Sequence, residues 1–253
     1  MAEVVILGSG TSNGVPVLGV DYPPKFLANP KNHRTRASIL IAGPKGNVLV
    51  DCSPEMRLQL LREDVKRLEA VIVTHTHADH IMGMDDLRSF CIVQRQAMPI
   101  YTLKAYEEDI RRVFPYAFMS FGGGIEVPRF DMREIEPVLN LGGLEIQTFT
   151  VMHGLLPVIA LRIGDLAYIT DVSEIPDGAM EKLHGLDTLI LDGVRYDPHP
   201  NHFHFDRAVE VALEINAKTT YLTHLSHDYD HDVTERDMPA NIRLAYDGLR
   251  IGC

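Results

Sequence analysis

AVIVTHTHADHIMG, residues 70–83, sets an apolar run, Ala70 to Val73, directly against His75, His77, Asp79 and His80. Imidazole nitrogens and carboxylate oxygens are the usual ligands of zinc and related divalent ions. In an extended or loop backbone, residues two apart point the same way, so His75 and His77 can grip one ion. Asp79 and His80 can then turn toward a second. A lone histidine in such a place is more often a loop residue capping backbone groups, but four ligand-type residues within six positions ask for more.

The same pattern returns three times. QTFTVMH ends an apolar run in His153, LAYITD ends one in Asp171, and TTYLTH ends one in His224. Each run delivers one ligand-type residue at its carboxyl end, where strands and loops assemble sites on a rigid scaffold. Four such strands finishing at one edge would bring all seven side chains together.

The rest of the chain fits a globular enzyme. At 253 residues it can form a single domain, expected over 1–253, with a sizeable core. Strand-like runs are 4–7, 38–42, 48–50, 70–73, 146–151, 159–163, 166–169, 188–191 and 219–222, with Gly164 and Asp165 as a hairpin signal. Ser53 as N-cap and Pro54 behind it predict a helix through Met56, Leu60 and Leu61. Further helices are expected over 103–113, 179–184 and 206–216, and a glycine-rich loop over 120–127. This alternation suggests sheets covered by helices.

No stretch approaches the ~20 apolar residues that cross a bilayer, so no membrane association is expected. MAEVVILGSG lacks a basic n-region and reads as a strand, not a signal peptide. Cys52, Cys91 and Cys253 are odd in number and widely spaced, implying neither a disulfide framework nor a thiolate site. The cytoplasm is the expected compartment. A formal charge of −11 argues against gripping a phosphate backbone, so no stable nucleic-acid complex is expected. It does not oppose a small anionic substrate, because bound metal ions carry local positive charge.

HTHADH followed by a distant His, Asp and His resembles the HxHxDH pattern of the metallo-β-lactamase-fold hydrolases. The resemblance runs from LGSGTSNGVP (7–16) through LVDCSPEMR (49–57) to YDGLRIG (246–252). GTSNGVP, HPNHFH and LTHLSH narrow it to the branch of cyclic-phosphate phosphodiesterases similar to PhnP. It implies an α+β fold, a four-layer αββα sandwich. Carried over position by position, it makes His75, His77 and His153 ligands of one ion. Asp79, His80 and His224 hold the other, and Asp171 bridges. Zinc, manganese and iron all suit five histidines and two carboxylates.

Two such ions, sharing a water and lowering its pKa, suit hydrolysis of a small cyclic or nucleotide-like phosphodiester. The resemblance gives Asp79 the task of orienting that water. It gives His202, in HPNHFHFDRAVEVA, contact with the phosphate and protonation of the leaving oxygen. His204 is a candidate for substrate contact or for capping the helix behind it. Ser12, Asn13, Arg34 and Arg36 are candidate substrate contacts, the first two through backbone N–H groups of a glycine-rich turn. His199 and His231 are read as exposed loop histidines.

Many relatives carry three cysteines after the first glycine-rich loop, completing a structural zinc site with a histidine. LGVDYPPKF (18–26) has none, which leaves His227 as an orphaned fourth ligand. No structural zinc is expected, with packing stiffened by Pro23 and Pro24 in its place. A homodimer is a family-level expectation. The alternatives are a tRNA 3′-processing endonuclease of the same fold, a thioester or lactone hydrolase, and a non-catalytic accessory protein.

Overall fold

Strands whose two faces are both buried read as near-continuous apolar runs, and this chain builds its core from such strands. Val4 and Ile6 face one hydrophobic layer while Val5 and Leu7, on the same strand, face another. The computed structural model describes residues 2–120 and 126–253.

In chain order the first half contains β1 (Glu3–Gly8), α1 (Pro24–Ala28), β2 (Ser38–Ala42), β3 (Asn47–Val50), α2 (Met56–Arg62) and β4 (Ala70–Ile72). Then come α3 (Ala78–Ile81), α4 (Arg88–Gln94), β5 (Met98–Thr102), α5 (Glu107–Val113) and β6 (Phe130–Glu134). The second half contains β7 (Val138–Leu141), β8 (Leu144–His153), β9 (Leu156–Ile163), β10 (Leu166–Ile169), α6 (Asp177–Met180) and β11 (Thr188–Asp192). It ends with α7 (Phe205–Ile215), β12 (Thr219–Thr223), α8 (His231–Thr234), β13 (Ile242–Leu244) and β14 (Arg250–Gly252).

The strands form two sheets, ordered β14-β1-β2-β3-β4-β5-β6 and β13-β12-β11-β10-β9-β8-β7. Each changes character midway. β14, β1, β2 and β3 pair antiparallel and β3 to β6 pair parallel. Likewise β7 to β10 pair antiparallel and β10 to β13 parallel.

Ile6, Ile39, Ile41, Val48 and Ile72 of the first sheet meet Ile146, Ile159, Leu161, Tyr168 and Ile190 of the second. The outer face of the first sheet is covered by Met56 and Leu60 of α2, Cys91 of α4 and Ile110 of α5. Ala179 of α6 and Ala208, Val211, Ala212 and Ile215 of α7 cover the second. The layers are αββα, an α+β metallo-β-lactamase sandwich. Among the described residues, no helix is long and apolar enough to cross a membrane.

All nine strand-like runs are strands, and the Gly164–Asp165 hairpin joins β9 to β10 in the register Ile163↔Leu166. The helix expected from Ser53 starts later. Ser53 accepts the Met56 N–H through its carbonyl (2.9 Å), and its hydroxyl donates to Gln59 Oε1 (3.0 Å) instead of capping. The first part of 103–113 is a 3-10 turn, Lys104–Tyr106, before α5. The loop expected over 120–127 lies mostly outside the described residues.

Candidate metal centre

The convergence begins with three unusual strand ends. Asp51 after β3, Asp171 after β10 and His224 after β12 have φ of 62°, 51° and 58°. Few non-glycine residues adopt this left-handed conformation, although Asp and His do so more readily than most. Arg95 and Asn216 share it as ordinary C-caps of α4 and α7. The three strand-end cases turn the chain at the sheet edge and converge on one site.

The residues after β4 do not stay a loop. His77 is the N-cap of α3, so Asp79 and His80 sit on a helical turn. Gly83 lets that turn lie against the Ser53 loop, since a Cβ there would fall 2.0 Å from the Ser53 carbonyl oxygen.

Ligand atoms of His75, His77 and His153 lie within 4.8 Å of one another, as do those of Asp79, His80, Asp171 and His224. These are two candidate metal-binding clusters. His75 Nε2 is 3.0 Å from His77 Nδ1. His80 Nε2 is 3.3 Å from both Asp79 Oδ2 and Asp171 Oδ2. His224 Nε2 is 3.3 Å from Asp171 Oδ1 and 3.5 Å from Asp79 Oδ2. Asp171 Oδ1 also reaches within 4.0 Å of His75 Nε2, so its carboxylate stands between the clusters.

The donor set fits divalent cations. A tetrahedral ion with ~2.0–2.1 Å bonds spaces its ligand atoms about 3.4 Å apart. His80 Nε2 and His224 Nε2 are buried without hydrogen-bond partners, although carboxylate oxygens stand at about that spacing. Asp51, Asp79, Asp171 and Asp192 are all buried, and among the described residues no lysine or arginine pairs with them. Buried charge left uncompensated is costly, which suits a pocket built for cations. Burial disfavours the charged form of His80, but Asp171, Asp51 and Asp79 outweigh it and push its pKa up. Burial also acts on Asp79, where His80 and His224 prevail and hold its carboxyl well below the usual range.

Outer contacts fix which nitrogen of each ring faces inward. His80 Nδ1 is 2.7 Å from Asp51 Oδ2, and that carboxylate also accepts the Thr74 N–H and hydroxyl at 2.8 Å each. His153 Nδ1 donates to the Asn201 carbonyl at 2.6 Å. Gly154, at φ +60°, lets this strand pass Asn201 closely. Such partners orient ligand rings and set their tautomers.

His202 stands at the edge of both clusters, its ring 4.4 Å from that of His153 and 4.9 Å from that of His224. Its Nδ1 donates to Asp192 Oδ2 at 2.8 Å, leaving Nε2 free. Asp192 also accepts the Val172 N–H (3.0 Å), and its Oδ1 lies 3.8 Å from His224 Nδ1. Asp51 and Asp192 were missed from the sequence. The signal was available, because NVLVD and TLILD also end apolar strands in a carboxylate.

Other expected site residues divide. Ser12 and Asn13 line a cleft with Arg195, His199, His202 and His224. Arg34 does not contact it. Its side chain is buried, donating to Ser9 Oγ (3.2 Å) and the Ala245 carbonyl beside His231, so it anchors the glycine-rich loop and not a substrate. Arg36 pairs with Glu55 and donates to the Ser12 carbonyl (3.0 Å), which positions the cleft wall. His204 is the N-cap of α7, and its side chain makes no capping bond. His227 packs edge-on against Tyr22, which stacks on Phe26, in the region where cysteines are missing. His231 is buried and His199 stands 4.8 Å from the His202 ring, so neither is an exposed loop histidine.

Residues 46–225 match the family model described as a beta-lactamase superfamily domain. A solved structure described as a new diphosphatase from the PhnP family is 38% identical with a TM-score of 0.92, covering 100% of this chain and 98% of its own. An octanoyltransferase of Porphyromonas gingivalis is 33% identical over 252 residues, 97% of this chain but 50% of that protein. A ribonuclease Z of Gloeothece citriformis is 30% identical over 171 residues, 64% of this chain and 47% of that protein. The chain thus spans about half the length of these two curated relatives.

Proposed function

The chain belongs to the beta-lactamase superfamily, and on that premise we propose that it is a metal-dependent phosphodiesterase of the PhnP-like branch, using two divalent ions. The observation that carries this reading is the meeting of seven ligand-type side chains from four strand ends, with buried imidazole nitrogens left unpartnered at ligand spacing. His75, His77 and His153 would hold one cation and Asp79, His80 and His224 the other, with Asp171 between them.

Divalent cations bound there supply Lewis acidity toward phosphoryl oxygens and neutralise the charge that grows as phosphorus is attacked. Asp79 orients the attacking water and accepts a hydrogen bond from it. His202, fixed by Asp192 through Nδ1–H, presents Nε2 to the leaving oxygen and, in its doubly protonated form beside the Asp192 carboxylate, gives the Nε2 proton to the departing alkoxide, becoming neutral. Ser12 and Asn13, which line the same cleft, are the substrate contacts of this reading. The substrate is a small anionic diester.

The relative described as a diphosphatase brings P–O–P substrates into the same class. Each phosphorus of a disubstituted diphosphate carries one charge and two bridging oxygens, as in a phosphodiester. The ribonuclease Z likeness favours an RNA substrate, but the formal charge of −11 opposes a grip on a polyanion.

Elemental analysis of the purified protein, joined to a panel of phosphodiesters, thioesters and lactones, tests the reading. Two equivalents of transition metal with turnover of phosphodiesters are expected. Turnover confined to the carbon esters would reject it.

A further inference from the structure

The cleft beyond His202 has contents that the reaction itself does not require. If His202 serves the leaving oxygen, the group that oxygen carries enters the cleft that His202 lines. Arg195, His199, His227, Ser12 and Asn13 line this cleft together with His202 and His224.

Arg195 is held in place by its own loop. Its Nε donates to the Asp197 carbonyl (3.1 Å) and its Nη2 to the Pro198 carbonyl (2.8 Å). Neutral acceptors fix the guanidinium without cancelling its charge, and Arg195 makes no ion pair among the described residues. His199 accepts the Asn201 N–H at Nδ1 (3.2 Å), which puts its proton on Nε2 as a donor. Two carboxylates also border the cleft. Asp228 accepts the Ser226 hydroxyl (2.8 Å) and stands 3.8 Å from His227 Nε2, and Asp197 is exposed, its charge screened by solvent. A fixed cation, an imidazole donor whose ring stands 4.8 Å from that of His202, and an amide in one cleft form an anion-binding set.

We propose that this cleft is a second-phosphate subsite, in which Arg195, His199 and Asn13 hold the distal phosphate of a substrate with a P–O–P linkage. The assignment rests on the phosphodiesterase reading and names its substrate class. Hydrolysis adds one water across the linkage. The water's oxygen bonds to the attacked phosphorus, and the bridging oxygen departs with its electron pair on the distal phosphate. The two products are phosphomonoesters, one carrying each substituent. Arg195 stabilises the departing charge, so this leaving group depends little on a proton from His202.

The test compares ADP-ribose, which has two phosphorus atoms, with the p-nitrophenyl ester of thymidine 5′-phosphate, which has one. In the metal-loaded protein, Arg195→Gln should lower the ratio of kcat/KM for ADP-ribose over the ester by about tenfold or more, the usual worth of one charge-assisted contact. His199→Ala should lower it less. Calorimetric binding of methylenebisphosphonate should weaken in Arg195→Gln by a similar factor, while orthophosphate binding changes less. An unchanged ratio in both variants, or a wild-type protein that cleaves the ester but not ADP-ribose, overturns the subsite. Failure of the wild-type protein to cleave either compound overturns the phosphodiesterase reading itself.

Discussion

Replacing Asp51 by Asn changes one atom of a buried carboxylate and should weaken the hold on one cation without unfolding the chain. In the native arrangement Asp51 Oδ2 faces His80 Nδ1 at 2.7 Å, so Nδ1 carries the proton and Nε2 offers its lone pair to the cluster. The asparagine can keep the bond from the Thr74 N–H, 2.8 Å in the native protein, through its carbonyl oxygen. Its NH2 group then meets His80 Nδ1, donor against donor, unless the imidazole proton moves to Nε2. That move blocks the ligating nitrogen. Losing such an outer partner typically costs 10–100-fold in metal affinity, or ~1.4–2.7 kcal/mol. The expected result is one tight equivalent of metal and a second weakened by that factor, read by competition with a chromogenic chelator. Far-UV circular dichroism should be unchanged. Two equivalents bound as tightly as in the wild type would refute the reasoning, because Asp51 would then not set the His80 tautomer.

His202→Ala should lower kcat by about 10²–10³ for a diester with an alkoxide leaving group. With p-nitrophenolate, which needs no proton, the loss should be under about tenfold, and equal losses in steady-state assays would deny His202 the acid role. Arg34→Met should reduce unfolding free energy by about 2–4 kcal/mol in denaturant titrations, since it strands Ser9 and the Ala245 carbonyl in the core. Burial, then the Arg34 and Lys31 charges, push the His231 pKa down to about 3, well below the ordinary imidazole value of about 6.5. The unfolded chain therefore binds that proton first. This contribution is complete above about pH 6.5 and is lost as pH falls toward 3, so His231→Gln should flatten the pH 4–6.5 stability slope relative to wild type. Chelation should lower the melting temperature, since a ligand at 100 times its Kd stabilises by about 2.7 kcal/mol, and an unchanged melt would contradict tight cations.

Much of this arrangement is legible in the sequence because strands with two buried faces are written as apolar runs. Val4, Ile39, Leu49 and Ile190 mark four of them. Among the described residues five strands escaped: β6 and β7, whose apolar residues alternate with charged or polar ones, and three that are interrupted or very short. MPIYT (98–102) carries Pro99, and Ile242–Leu244 and Arg250–Gly252 are three residues long, too short for a period to register. The ligand cluster was legible because its chemistry is local. Asp51 and Asp192 carry the same run-then-carboxylate signal as Asp171, but their role is hidden, since each acts through another side chain. Arg34 misled for the converse reason. KNHRTRAS looks like a basic surface loop, and only the fold turns Arg34 inward toward Ser9 and His231.

The seven ligand-type residues do not all hang from one sheet. Residues 75–80 follow β4 of the first, whereas His153, Asp171 and His224 close strands of the second. Their spacing is therefore calibrated by how the two slabs mate, through Ile72 and Ile41 on one side and Leu161 and Ile190 on the other. A methyl group removed from that seam, far from any reacting atom, should therefore loosen the grip on the ions although no ligand is touched. The hydrophobic interior of this enzyme is in effect the gauge block of its chemistry.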